Sequence, residues 1–117
     1  MSFPETIITQ TVAIAAGASL SGATMKRSGY SLIGIQTAST WDAAKITLAG
    51  SIDGTNFYPI RNETAEYEIA AVTGAACVAI DLNVVYAWPY LKVRSGTSAA
   101  ATNQVDATIV TLVYRAL

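Results

Sequence analysis

The stretch KITLAGSID, residues 45–53, gives the clearest indication of the fold, because its larger apolar residues recur at every second position. Ile46, Leu48 and Ile52 share one side of an extended chain, with Gly50 between them. The intervening positions are small or polar. This period of two is typical of a β-strand with one buried and one open face, and it is the pattern from which the rest of the fold is predicted.

Alternation of the same kind recurs in three further segments, at residues 66–70, 78–82 and 91–94. Three longer segments are rich in strand-forming residues but carry apolar side chains with less alternation, at residues 6–15, 30–37 and 105–115. A strand without polar alternation is covered on both faces, either inside one sandwich or against another chain. The sequence leaves both interpretations open.

Turn residues separate these strands, most clearly at Asp53-Gly54 and at residues 95–98. Residues 82–89 predict a short helical turn or coil that Pro89 ends. Roughly eight short strands divided in this way predict an all-β fold, namely a two-sheet antiparallel β-sandwich of jelly-roll type. The 117 residues fit a single domain, 1–117, with residues 1–6 as an N-terminal arm.

The composition indicates a chain that buries surface against partners. Hydrophobic residues make up 52% and charged residues 13%, about half the charged share of roughly 25% in ordinary domains. A net charge of −1 without a basic run gives no electrostatic basis for nucleic-acid binding. The uncharged residues 6–25 hold too many Ser and Thr for a membrane-spanning helix, and the first basic residue is Lys26. We therefore expect no membrane segment, no signal peptide and synthesis in the cytoplasm.

The residues that carry most enzyme chemistry are missing. The chain has no His and a single Cys, which removes Ser-His and Cys-His nucleophile pairs and the familiar zinc sites. Calcium ligands at Asp42, Asp53 and Asn56 lack EF-hand spacing. The sequence therefore predicts no enzyme activity, no cofactor and no metal site.

Three further side chains have both a chemical and a structural interpretation. Glu66 and Glu68 would lie on one strand face at a spacing that an acid–base pair of a glycosidase uses. A solvated outer face is the simpler interpretation, and we adopt it. Cys77 lies in the apolar stretch 75–80, where we expect a buried, inert thiol.

The aromatic residues Tyr86, Trp88 and Tyr90 alternate along the chain and could form an exposed platform for a sugar or a protein partner. The competing interpretation places them in the core around Pro89; we assign Trp88 to the core and leave Tyr86 open. The segment SIDGTNF, residues 51–57, resembles the Asp-box hairpins of sialidase propellers. That resemblance implies that its Ser and Asp stabilise a turn and do no chemistry.

Four motifs stand in order across most of the chain: GASLSG at 17–22, IQ at 35–36 leading to Trp41, SIDGTNF at 51–57, and YLKVRSGTSAA at 90–100 followed by NQ at 103–104. As an ordered set they resemble a family of small proteins encoded among the virion genes of tailed bacteriophages. The resemblance implies a structural virion protein, and within that class a capsid decoration (cement) protein. Such proteins commonly form homotrimers that bind the major capsid protein on the capsid surface. The resemblance carries over no catalytic residue.

These expectations define an interface. Phe3 and Pro4 form an arm that reaches a neighbour, and the strand around Ile7 and Ile8 forms the seam between copies. Tyr86 and Trp88 are two further interface candidates. The complete set of interface candidates is Phe3, Pro4, Ile7, Ile8, Tyr86 and Trp88. Two other functions stay open, a head–tail connector or tail structural protein and a carbohydrate-binding module for host recognition.

Overall fold

The computed structural model describes residues 7–26 and 28–116 and confirms the predicted two-sheet antiparallel β-sandwich. Its elements follow one another as β1 (Ile7–Ile14), β2 (Thr24–Met25), β3 (Tyr30–Thr37), β4 (Ala44–Ser51), β5 (Tyr58–Pro59), β6 (Glu68–Val72), β7 (Cys77–Ala79), α1 (Leu82–Val85), β8 (Tyr90–Ser95) and β9 (Thr108–Ala116). The predicted helical turn before Pro89 is confirmed as α1, which Asp81 caps by accepting a hydrogen bond from the Asn83 backbone N–H.

Strands from the two ends of the chain pair with each other. Sheet 1 has the order β1-β9-β3-β7, and sheet 2 has the order β2-β8-β4-β5. Strand β6 also pairs with β4, on the same edge as β5 but along a different part of β4. The nine described strands therefore occupy eight strand positions in the two sheets. In sequence order, β1 pairs with β9, β2 with β8 and β3 with β7. This is the pairing of one long hairpin that folds over into two sheets, which is the jelly-roll arrangement that the sequence predicts.

The core lies between the sheets because each long strand turns alternate apolar residues inward. Strand β8 shows the expected alternation most clearly, with Leu91 and Val93 buried and Lys92 and Arg94 more exposed. The inner faces of the other strands supply the rest of this core: Val12, Ile14, Leu32, Ile35, Ile46, Leu48, Ile69, Val110, Leu112 and Tyr114. Trp41, Ile60, Ile80 and Val85 close it at the ends.

Tyr114 is a buried phenol whose hydroxyl has no hydrogen-bond partner among the described residues. Burial raises the pKa of Tyr114 to about 12, because the interior disfavours the phenolate. A raised folded-state pKa means that this tyrosine's stabilisation is complete below its unfolded pKa and is lost as pH rises through the folded value.

Substitution Tyr114→Phe is therefore expected to leave the free energy of unfolding at pH 7 unchanged or to increase it, because it removes an unsatisfied buried group. At pH 11 the variant should retain about 1.4 kcal/mol that the wild-type protein loses between its unfolded and folded pKa values. Urea unfolding at pH 7 and pH 11 measures both effects. A loss of more than about 1 kcal/mol at pH 7 would show that the hydroxyl contributes a hydrogen bond after all.

Strand β4 differs from the prediction of one open face. Its side chains are buried on both sides, with only Lys45 exposed. The outer side is covered because the Gly96 turn lies over it, where the Thr47 hydroxyl donates to the Gly96 carbonyl oxygen at 2.7 Å. The strand also ends at Ser51, so Ile52 leaves the core and is 74% exposed.

Two further expectations are wrong. Glu66 is not on a solvated face: its carboxylate lies 3.5 Å from Arg94 and accepts hydrogen bonds from the Ser98 backbone N–H and hydroxyl. Glu68 does lie outside, paired with Lys45 at 3.4 Å. Cys77 is exposed because β7 is a short edge strand that turns this side chain away from the core.

Candidate functional site

The outer face of sheet 1 carries almost no charge. The four strands of this sheet contain a single charged residue, Arg115, at the end of β9. We call the following outward-facing residues the neutral face: Ile7, Thr9, Thr11, Ala13, Gln36, Cys77, Ala79, Ile109, Thr111, Val113 and Arg115. Ile109, at 53% exposure, is the most exposed large apolar residue of this face.

A shallow groove crosses the neutral face. It has a volume of about 260 Å³ and runs over β3, β7 and β9, with Gly34, Gln36, Cys77, Ala79 and Val113 in its walls. Gly34 keeps the groove floor low, since a Cβ there would lie 3.3 Å from the Val78 carbonyl oxygen. The groove adds relief to an otherwise flat, uncharged surface.

The outer face of sheet 2 is built differently. Its strands carry Lys45, Glu68, Lys92 and Arg94, and the first two of these form an ion pair at 3.4 Å. The loop after β8 covers part of this face, where the Gly96 carbonyl oxygen accepts the Thr47 hydroxyl hydrogen bond. In the described part of the chain, the outer face of sheet 2 therefore carries several charges and a covering loop, whereas Arg115 is the single charged strand residue on the outer face of sheet 1.

Strand β1 is an open edge. It pairs only with β9, over eight residues from Ile7 to Ile14 in unbroken register. Within the described part of the chain, no backbone hydrogen bond from another strand reaches its other side. The strand contains no proline, no charged residue and no bulge, which are the devices that natural edge strands use to prevent pairing with other chains.

The other sheet edges are protected. Strands β2 and β5 have two residues each, β7 has three, and β5 contains Pro59. Strand β6 is a longer edge of five residues, but it carries the charged Glu68 and pairs with β4 through an irregular register. Short edges and edge prolines offer few backbone groups to a partner. Among the described strands, β1 is therefore the edge that a second chain could extend.

The predicted interface residues of β1 point in opposite directions. Ile7 lies on the neutral face with 37% exposure, whereas Ile8 turns inward and packs against the core. Gln10 also turns inward and joins the sheet edges: it accepts a hydrogen bond from the Thr24 hydroxyl at 2.6 Å and donates to the Met25 carbonyl oxygen at 3.2 Å. Phe3 and Pro4 lie outside the described residues.

A second surface feature is a cleft at the end of the sandwich where β4 passes into β5. The cleft has a volume of about 480 Å³ and is mainly apolar. We define the end cleft by the residues that line it: Gly50, Ser51, Ile52, Asp53, Asn56, Tyr58, Pro59, Ile60, Arg61 and Trp88. Ile52 and Tyr58 stand at its mouth, 74% and 68% exposed.

The turn 51–56 forms one wall of the end cleft and is rigid. One carboxylate oxygen of Asp53 accepts hydrogen bonds from the backbone N–H groups of Thr55 and Asn56 at 2.8 and 2.9 Å and from the Ser51 hydroxyl at 2.9 Å. These bonds, led by the backbone N–H of Asn56, hold the pKa of Asp53 well below its usual range. The Ser and Asp of this segment therefore stabilise the turn, as the Asp-box resemblance implies.

Trp88 and Tyr86 do not form one aromatic platform. Trp88 packs against the core, as predicted, and its partly buried ring walls the end cleft, where a Cβ at Gly50 would lie 2.9 Å from its Cγ. Tyr86 is 54% exposed and borders a different groove, with the Lys26 ammonium 5.3 Å from its ring centre. Tyr90 packs beneath the turn at Gly54.

Ile52, Tyr58 and Arg61 were not predicted from the sequence as members of a surface cleft. The Asp53-Gly54 turn offers a usable signal, since a strand that ends before this pair leaves Ile52 outside. No local signal could bring Trp88 to the same place, because Trp88 follows even Arg61 by 27 residues in sequence.

Among residues 7–26 and 28–116, no group of three or more His, Cys, Asp or Glu is placed to hold a metal ion. The same residues contain no helix with the length and apolar character needed to cross a membrane.

Comparison with known proteins gives no family. No family model and no curated protein matches this chain. Among solved structures, the mitogen derived from Yersinia pseudotuberculosis is 12% identical, with a TM-score of 0.40, over 95% of this chain and 86% of that one. A protein of Bacillus endospore appendages, described as disulfide-linked pili, is 15% identical with a TM-score of 0.34, over 98% of this chain and 92% of that one. TM-scores this low support no inference about this protein.

Proposed function

We propose that the protein is a structural virion protein of a tailed phage that decorates the capsid surface and acts by packing against other protein chains. Copies associate with one another through the neutral face and the open β1 edge, and the homotrimer suggested by the resemblance binds the major capsid protein. The open β1 edge is the observation that carries this proposal, because a monomer in solution would be expected to protect such a strand.

The neutral face supports the same function. Monomeric domains expose charged residues over their whole surface, whereas large uncharged faces mark protein–protein contacts. Here one sheet holds a single charged residue, and Ile7, Ile109 and Val113 leave apolar surface open on it. Jelly-roll sandwiches are frequent in viral shells, which agrees with the proposal.

Stabilisation of a shell would follow from mass action. A protein that binds only the assembled lattice raises the cost of losing a capsid subunit by its own binding free energy. Contacts made by several copies of one oligomer add through multivalency, so each individual contact can be weak. The charged outer face of sheet 2, with its ion pair between Lys45 and Glu68, would then face solvent.

The copy number of this chain in purified particles tests the proposal. Quantitative mass spectrometry against the major capsid protein should give a number comparable to that of the capsid protein. A number typical of a single ring would assign the protein to the connector or tail instead. Absence from the particles would reject a virion function altogether.

A further inference from the structure

We propose that the end cleft binds residues 3–5 of the N-terminal segment of a second copy of this chain, with Phe3 and Pro4 against Trp88 and Glu5 against Arg61. This inference rests on the proposed function only in requiring that copies meet. It assigns a partner to a cleft that the sequence did not predict, on the side of the sandwich opposite the β1 edge.

The chemistry of the end cleft suits an apolar, aromatic segment. Its volume of about 480 Å³ is in the usual range for sites that hold a small ligand, about 300–1,000 Å³. The lining is dominated by Ile52, Ile60, Pro59, Tyr58 and Trp88. Such walls favour a hydrophobic anchor over a hydroxyl-rich sugar, which would need more polar partners than the cleft offers.

The polar groups of the cleft leave one site for an anion. Both Asp53 oxygens are already used within the turn, where they accept hydrogen bonds from Ser51, Thr55 and Asn56. Arg61 donates only a long hydrogen bond, 3.4 Å, to the Thr64 carbonyl oxygen, and no carboxylate of the described residues forms an ion pair with it. The cleft therefore offers an unpaired cation beside apolar walls.

The N-terminal segment has the complementary pattern. In MSFPET, residues 1–6, the single acidic residue is Glu5, and it directly follows the apolar pair Phe3-Pro4. The Phe-Pro pair therefore complements the apolar walls of the end cleft, and the carboxylate that follows it complements the guanidinium of Arg61.

The position of the segment favours a second copy over the same chain. Strand register places Ile7 and the end cleft at the same end of the sandwich. In sheet 1, Ile7 pairs with Arg115 beside Tyr30; in sheet 2, Ser51 pairs with Tyr90, which pairs with Met25; and Tyr30 and Met25 line one groove between the sheets. Six extended residues span about 20 Å. The Gln10 hydrogen bonds to Thr24 and Met25 place β2 beside β1, whereas β5 and the cleft lie at the opposite edge of sheet 2. Residues 3–5 of the same chain would therefore have to cross the whole end of the sandwich to reach their own cleft.

Charge exchange between chains tests this inference with the full-length protein. In each single variant, Glu5→Arg or Arg61→Glu, positions 5 and 61 carry charges of the same sign in every chain. In a mixture of the two variants, these positions carry opposite charges only between different chains. The readout is acrylamide quenching of tryptophan emission. Trp88 is half-buried in the cleft and is quenched when the cleft is empty, whereas Trp41 is 2% exposed and shielded from acrylamide. Glu63→Arg, in an exposed loop, is the control for changing a charge.

We expect acrylamide to quench the tryptophan emission of each single variant more readily than that of the wild-type protein, because the affinity of the N-terminal segment for the end cleft falls roughly two- to fivefold. An equimolar mixture, and the double variant Glu5→Arg/Arg61→Glu, should regain protection. Phe3→Ala should weaken binding roughly 30-fold, the equivalent of one buried aromatic side chain.

Two results would overturn the inference. Recovery in the double variant but not in the mixture would show that the segment occupies its own chain's cleft. Recovery in neither would show that Glu5 and Arg61 do not meet. Both results concern only the end cleft. The particle copy number and the association through the neutral face are measured without tryptophan quenching, so the proposed function can succeed or fail independently of this inference.

Discussion

Thr11→Glu combined with Thr111→Lys is expected to weaken self-association of the protein by about 100-fold or more while leaving its free energy of unfolding nearly unchanged. Thr11 and Thr111 are direct cross-strand partners at the middle of the neutral face. Opposite charges on such a pair attract each other, so the sheet itself is not disturbed. Burying them against another chain costs several kcal/mol per ion, because the contact removes their water.

A control places the same two charges on the other side of the sandwich. Ala65→Glu with Ala70→Lys adds an acid and a base at exposed positions on the side of sheet 2 and leaves the neutral face untouched. Size-exclusion chromatography with light scattering should show the control as oligomeric as the wild-type protein. Equal association of all three proteins would mean that copies do not meet through the neutral face.

Gln104→Leu is expected to lower the free energy of unfolding by about 3 kcal/mol, although leucine matches glutamine in size. Gln104 is fully buried. Its Oε1 accepts the Asp42 backbone N–H at 2.7 Å, and its Nε2 donates to the Ser95 hydroxyl at 2.8 Å and to the Asp42 carbonyl oxygen at 3.3 Å. Leucine would leave these groups without partners, at about 1–3 kcal/mol for each one that stays buried.

The effect should reach beyond one side chain because Gln104 connects three segments. Its backbone N–H donates to the Ala18 carbonyl oxygen, and its own carbonyl oxygen accepts from the Gly17 N–H. Urea unfolding followed by tryptophan emission measures the loss, with Gln36→Leu on the exposed neutral face as the same substitution without buried partners. A loss for Gln104→Leu of less than about 1 kcal/mol would contradict this account of the loops.

The strands that the sequence predicts well are those whose burial is decided locally. Strand β8 alternates in the chain and in the structure. Strand β3 has the bounds that the sequence predicts, 30–37, although its pattern left open what covers its second face. The strand count and the turns then favour a sandwich, since hairpin-forming strands with apolar faces must pack in pairs of sheets. Fold class followed from these local patterns.

The errors arise where distant residues cover or expose a segment. Thr47 is buried because the Gly96 turn lies over it, and Glu66 is partly buried because Arg94 and Ser98 reach it from another part of the chain. Cys77 is exposed because β7 is an edge. None of these contacts leaves a trace in the local period of the sequence.

The candidate site was predictable only in part, for the same reason. The charge-poor strands are visible in the sequence, and Ile7 was identified as an interface residue that the structure places on the neutral face. That β1 forms an edge depends on the pairing order of both sheets. The end cleft joins Tyr58 and Arg61 to Trp88 through contacts that no single segment encodes.

Sedimentation equilibrium of residues 1–117 over a range of protein concentrations tests whether the protein packs against copies of itself through sheet 1. We expect a discrete oligomer at micromolar concentration, a trimer as the resemblance implies, which Thr11→Glu/Thr111→Lys converts to monomer. A wild-type chain that remains monomeric across the whole concentration range would contradict it.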